Sequence, residues 1–191
     1  MKKLLVCFVA LVVAALMLIT LNKDTAQPYQ EIVRGIPVII IGEKNRNVER
    51  YLQDIDYIDD DLILLAEQIV FTDNPAVIEA GIVDGNEKAN AITLPKQNII
   101  YINTDSYDSL TLLHEFYHLF DWNKGDISNN KEFQKMMQIH DKCLNLSAYE
   151  ASNFQESFVA LLMRYRYKNE ELKNKCPEMY QYAQKLLNEN G

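Results

Sequence analysis

Residues 109–122, SLTLLHEFYHLFDW, are the stretch from which the fold and chemistry of this 191-residue chain are read. Apolar residues flank HEFYH on both sides and give the run a helical pattern. His114 and His118 are four apart, so on a helix they lie one turn above each other on one face. Two imidazoles so placed can reach one metal ion, and Glu115 can reach a water beside it. The chain has three histidines, and two of them are in this motif.

HExxH on a helix is a zinc-hydrolase signature. Zinc held by three protein ligands keeps a fourth position for water and draws that water's pKa down to about 7. A neighbouring carboxylate then takes the proton, and the hydroxide attacks a carbonyl. Glu115 marks the pattern as catalytic, because a structural zinc site closes with four protein ligands and needs no base. The plainer alternative is a buried amphipathic helix with two hydrogen-bonded histidines. The spacing and the helical setting favour zinc.

Two ligands need a third. The continuation HExxHxxGxxH is absent, since Asp121 stands at the glycine position and Lys124 at the third histidine. His140 lies in the polar stretch QIHDK and reads as a solvated side chain. A carboxylate is therefore expected, from among Asp126, Glu132, Asp141, Glu150 and Glu156. Glu156 sits in SNFQESFVALLMRYRY, an apolar helix opened by a capping-box pattern, Ser152 to Gln155. A buried acid in its second turn needs a partner, and zinc would be one. A glutamate near a helix N-terminus is also favoured by the macrodipole and can face water. Read alone, the residues leave both open.

HEFYHLFD followed by NFQESFVALL resembles the gluzincin metallopeptidases related to the catalytic domain of anthrax lethal factor, a group that includes the clostridial Pro-Pro endopeptidases. The resemblance implies a zinc site completed by Glu156, which lies 38 residues after His118 in the context ESFVA. It also implies that Tyr149, seven residues before Glu156, stabilises the tetrahedral intermediate. Without the resemblance, Tyr149 is one of eleven tyrosines and reads as a half-buried loop residue. The match spans roughly residues 36–165, with its specific motifs between 111 and 162. Two positions depart from the family: Tyr117 stands where glycine is usual, and Ala160 where a carboxylate often follows the ligand glutamate. Ligating histidines normally donate their other N–H to a carboxylate or carbonyl. Asp121 is the candidate for that role, against a reading as an exposed residue at the helix end.

The chain opens with Lys2 and Lys3, then eighteen uncharged, mostly apolar residues from Leu4 to Leu21. Lysines before such a run orient the N-terminus to the cytoplasm and send the remainder outward. The run is long for a signal peptide and just long enough to span a bilayer, and TLNKDTAQ is a poor cleavage site. An uncleaved signal anchor (1–21) is expected over a cleaved signal, with the catalytic part exported either way and membrane contact confined to this segment. Without residues 1–21 the chain keeps 17 basic and 27 acidic residues, a net charge of −10. That argues against nucleic acid and anionic membrane surfaces and is compatible with polypeptide substrates. Cys143 and Cys176 either pair in an oxidising exterior or stay as buried thiols, and no CxxC suggests a Cys/His zinc site.

A polar linker at 22–31 precedes one domain, 32–191, large enough to bury roughly two-thirds of its surface. Ile36–Ile41 reads as a buried strand. A helical pattern runs from Val48 to Val70 with a break near Asp59–Asp61. Short strand-like runs follow at Ala76–Val83, Ala89–Pro95 and Asn98–Ile102, then helical patterns at 107–122, 129–143, 153–168 and 177–188. A small mixed sheet followed by helices is an α+β, zincin-like metalloprotease domain. AITLPKQNIIYIN, just before the motif helix, is the candidate edge to which an extended substrate adds. The expectation is an exported zinc metalloendopeptidase, monomeric, in which His114, His118 and Glu156 bind Zn2+. Glu115 is its base and Tyr149 an electrophilic helper. The alternatives are a membrane-tethered zincin-fold binding module without turnover, and a zinc amidase or esterase.

Overall fold

The protein is described by a computed structural model that covers residues 28–73 and 90–188. The leader segment 1–21 and the expected strand Ala76–Val83 lie outside these residues. Among the described residues, no helix is long and apolar enough to cross a membrane.

β1 (Tyr29–Val33) and β2 (Ile36–Ile41) form an antiparallel hairpin. Its two-residue turn is Arg34-Gly35, with φ of 49° and 86°. Positive φ at both turn positions matches the right-handed twist of the flanking strands. The strand begins at Tyr29, inside the stretch read as linker. The Arg34 guanidinium donates to the carbonyls of Ile55 at 2.7 Å and Ile58 at 2.6 Å and pairs with Asp60, tying the hairpin to the next layer.

α1 (Arg46–Ile55) starts where the Asn45 side chain accepts from the amides of Asn47 and Val48. It buries Val48, Tyr51 and Ile55. A single turn, α2 (Asp60–Ile63), starts within the expected break at Asp59–Asp61, and then the chain departs from the expected helix. Gln68–Thr72 is a strand, β3, and Ile69 to Thr72 are all buried. Its β-branched and aromatic residues suit an interior strand covered on both faces, which shows a continuous apolar run rather than alternation. β4 (Ala91–Leu94) and β5 (Ile99–Asn103) complete a mixed five-stranded sheet in the order β1-β2-β3-β5-β4. β2, β3 and β5 run parallel, with Val38 opposite Ile69 and Ile69 opposite Ile100. β4 is antiparallel to β5 and forms the outer strand among the described residues.

The second half is helical: α3 (Thr111–Asn123), a 3-10 turn (Ile127–Asn129), α4 (Lys131–Leu144), α5 (Phe154–Tyr167), α6 (Asn169–Lys175) and α7 (Pro177–Asn188). α6 falls between the two last expected helices, in a stretch where no helix was expected. Cys143 at the end of α4 and Cys176 after α6 form a disulfide with Cα atoms 5.5 Å apart. One core runs through the molecule. Ile40, Ile69, Ile100 and Ile102 of the sheet meet Tyr51 of α1 and Leu112, Phe116 and Leu119 of α3. In the helical half, Phe158 of α5 lies 6.5 Å from Phe120 and 5.3 Å from Phe133, centroid to centroid. The architecture is the expected α+β one, a mixed sheet followed by helices. It places α3 between β4 and α5.

Candidate metal centre and catalytic cleft

α3 is held by its buried face of Leu112, Leu113, Phe116, Leu119 and Phe120, which leaves His114 and His118 on the edge towards a cleft. The two rings meet edge-on with centroids 4.8 Å apart, and their Nε2 atoms are 3.1 Å from each other. Two imidazole nitrogens turned on one point suit a shared cation. His114, Glu115 and His118 offer ligand atoms all within 4.8 Å of one another.

Glu156 arrives from α5. Its helix is capped by Asn153 rather than Ser152, with the Asn153 side chain accepting from the Glu156 amide at 2.9 Å. That one-residue difference puts Glu156 in the first turn. A first-turn glutamate can fold back onto its own cap or face water. This one does neither: its side chain is 13% exposed, with Oε2 3.2 Å from His114 Nε2 and Oε1 3.4 Å from His118 Nε2. Oε2 is buried and accepts no hydrogen bond despite that proximity. Burial works against the charged carboxylate, but the two imidazoles beside it outweigh this and hold Glu156 below the usual carboxylate range. Burial likewise lowers the pKa of His118, and the surrounding carboxylates, led by Glu156, reverse this and raise it.

A buried, orphaned carboxylate oxygen facing two clustered imidazoles is costly unless a cation lies between them. Two nitrogens and one oxygen are a donor set that zinc accepts. The residues present fit zinc.

Glu115 is buried, and its Oε2 accepts from the Thr93 hydroxyl of β4 at 2.6 Å. Thr93 escaped the sequence reading because one strand threonine among apolar residues carries no signal until register and helix packing are known. Tyr149 is on the irregular segment between α4 and α5, 58% exposed, with its ring centroid 6.4 Å from that of His114. Asp121 is buried and turned towards the 3-10 turn, accepting from the Ser128 amide at 2.8 Å and hydroxyl at 2.5 Å, and it bears on His118 as a nearby charge.

The other acids considered as ligands have other surroundings. Glu150 pairs with Arg164, Asp126 accepts from the Asn129 amide, and Glu132 and Asp141 are exposed. His140 pairs with Glu178 at 2.7 Å. Tyr117, at the position where glycine is usual in the resembled family, is packed into the core with its pKa pushed up to about 12 by burial. The cleft itself measures about 980 Å³ and lies between β4 on one side and the Tyr149 segment with α5 on the other.

No family model matches the chain, and no curated protein matches it by sequence. By structure, the chain is similar to the Pro-Pro endopeptidase of Paenibacillus alvei. The TM-score is 0.59 at 16% identity, over 78% of this chain and 96% of the other. The fold resembles that of a Pro-Pro endopeptidase. At this identity the likeness speaks for the arrangement of sheet and helices, and the chemistry rests on this chain's own residues.

Proposed function

We propose that the chain is a zinc-dependent metalloendopeptidase of the gluzincin type. The observation that carries this reading is the Glu156 carboxylate, set against His114 and His118 with one buried oxygen unpartnered. Zinc, when bound by these three side chains, supplies Lewis acidity and lowers the pKa of water at the site. Glu115 takes the proton of the attacking water, and the Thr93 hydroxyl keeps its carboxylate oriented. The Tyr149 hydroxyl donates to the oxygen that becomes anionic as the peptide carbonyl turns tetrahedral. Glu115 then returns the proton to the departing amine. The substrate is a polypeptide laid along β4, which is outermost among the described residues and borders the cleft. The fold likeness to a Pro-Pro endopeptidase supports this reading. Lys2, Lys3 and the apolar run 4–21 support export, with the catalytic part outside the cell.

The test is chelation. Full-length protein treated with a chelator is expected to stop cleaving a peptide library, and zinc is expected to restore cleavage. Persistent cleavage by the metal-stripped protein would overturn the reading, as would zinc-loaded protein that cleaves no peptide.

A further inference from the structure

Tyr149 belongs to neither of the helices that flank it, so its usefulness depends on how firmly its segment is held. Catalysis by a donor requires its position to be fixed beforehand, and misplacement by about 1 Å can cost roughly 100-fold in rate. The neighbouring residue, Glu150, is the best-tethered side chain of that segment. Its carboxylate takes both arms of the Arg164 guanidinium, at 2.7 Å and 3.0 Å, and also accepts from the Ser147 amide at 2.6 Å. Its carbonyl accepts from the Ser157 hydroxyl at 2.9 Å, and Arg164 reaches the Asn145 carbonyl at 3.4 Å. The Ser152 amide closes the turn onto the Tyr149 carbonyl at 2.9 Å.

Both anchors, Ser157 and Arg164, are on α5, the helix that also presents Glu156. We propose that Glu150 and Arg164 are positioning residues that hold the segment from Asn145 to Ser152 against α5 and so aim Tyr149 into the cleft. This rests on the peptidase reading for the role of Tyr149. One rigid helix then sets two distances at once, that of Glu156 to the histidines and that of the Tyr149 hydroxyl to the reacting carbonyl. An exposed ion pair would contribute little. This one has side chains 17% and 29% exposed and a two-pronged geometry that lysine cannot copy.

The test compares Glu150→Gln, Arg164→Lys, Tyr149→Phe and the double variant Glu150→Gln/Tyr149→Phe in the full-length zinc-loaded protein. Glu150→Gln and Arg164→Lys are expected to lower kcat about tenfold or more, with KM within about twofold and zinc content unchanged. In the Tyr149→Phe background, Glu150→Gln is expected to remove no further kcat, because the pair acts through that hydroxyl. Amide exchange over residues 147–152 is expected to quicken in Glu150→Gln and in Arg164→Lys, a readout that needs no activity. Unchanged exchange in that segment would overturn the proposal, as would an equal loss of kcat from Glu150→Gln with and without the Tyr149 hydroxyl. If wild type cleaves nothing, the peptidase reading falls and the catalytic half of this proposal with it. Exchange then still decides whether the pair holds the segment.

Discussion

Thr93 Oγ1 lies 2.6 Å from Glu115 Oε2 and 3.2 Å from the Glu115 carbonyl, so β4 and the motif helix α3 meet at the proposed base. A carboxylate that must accept a proton in one direction gains from having its other freedom removed. Thr93→Val keeps the shape and deletes the hydroxyl. It is expected to lower kcat by roughly 10- to 100-fold, the usual range for loss of an orienting partner at a metal site. Zinc content should stay at the wild-type level, and Thr93→Ser should recover most of the rate. Unaltered kcat in Thr93→Val would show that the contact is structural only.

Glu156→Ala removes the carboxylate set against both imidazoles. Zinc affinity, measured by competition with a chromophoric chelator, should fall by more than the roughly 100-fold that loss of an outer hydrogen-bond partner costs. Glu132→Ala, an exposed acid on α4, should bind zinc like wild type. Full affinity in Glu156→Ala would remove the third ligand from the account.

β4 is antiparallel to β5 and outermost among the described residues. If an extended substrate adds to it, a peptidic inhibitor should slow hydrogen exchange at the outward-facing amides within Ala91–Leu94. The amides of β1, at the other edge, should not respond. Equal exchange in β4 with and without inhibitor would place the substrate elsewhere in the cleft.

Glu150 titrates far below its ordinary value. Hydrogen bonding from Arg164 and Ser147 outweighs burial and brings it from 4.5 to about 2. A depressed folded-state pKa contributes stability that is complete above the unfolded value and is lost as pH falls from 4.5 towards 2. Glu150→Gln should therefore melt below wild type at about pH 6, and the gap between the two melting temperatures should narrow steadily as pH falls from 4.5 towards 2. A constant gap across that range would mean that the carboxylate charge contributes nothing.

The motif helix was legible because its information is local: His114, Glu115 and His118 are within two turns and the apolar positions around them repeat at the helical period. The α+β class was legible for the same reason, from the order of short strand-like and long helical runs. β3 was not, because the run from Ile69 to Phe71 continues an apolar pattern begun on a helix, and only its place between β2 and β5 makes it a strand. β1 was not legible either, because polar Gln30 and Glu31 sit beside an exposed Ile32 and give it no apolar alternation. At Glu156 the capping-box pattern pointed to Ser152, whereas Asn153 is the cap and puts Glu156 in the first turn. The partnerships of Thr93 with Glu115 and Glu150 with Arg164 join different elements, 22 and 14 residues apart, and no periodicity records them. Asp121 was the candidate to accept the other N–H of a ligating histidine, and its hydrogen bonds go to Ser128, a pairing set by the 3-10 turn that follows α3.

Glu115 is proposed as the base of a zinc site made by this chain. Full-length wild type and Glu115→Gln should be compared for bound zinc and for cleavage of the same peptide library. The predicted result is about one zinc per chain in both proteins and cleavage by wild type alone, with the variant slower by at least ~100-fold. Equal cleavage by the two proteins, or a wild type that takes up no zinc, would contradict it.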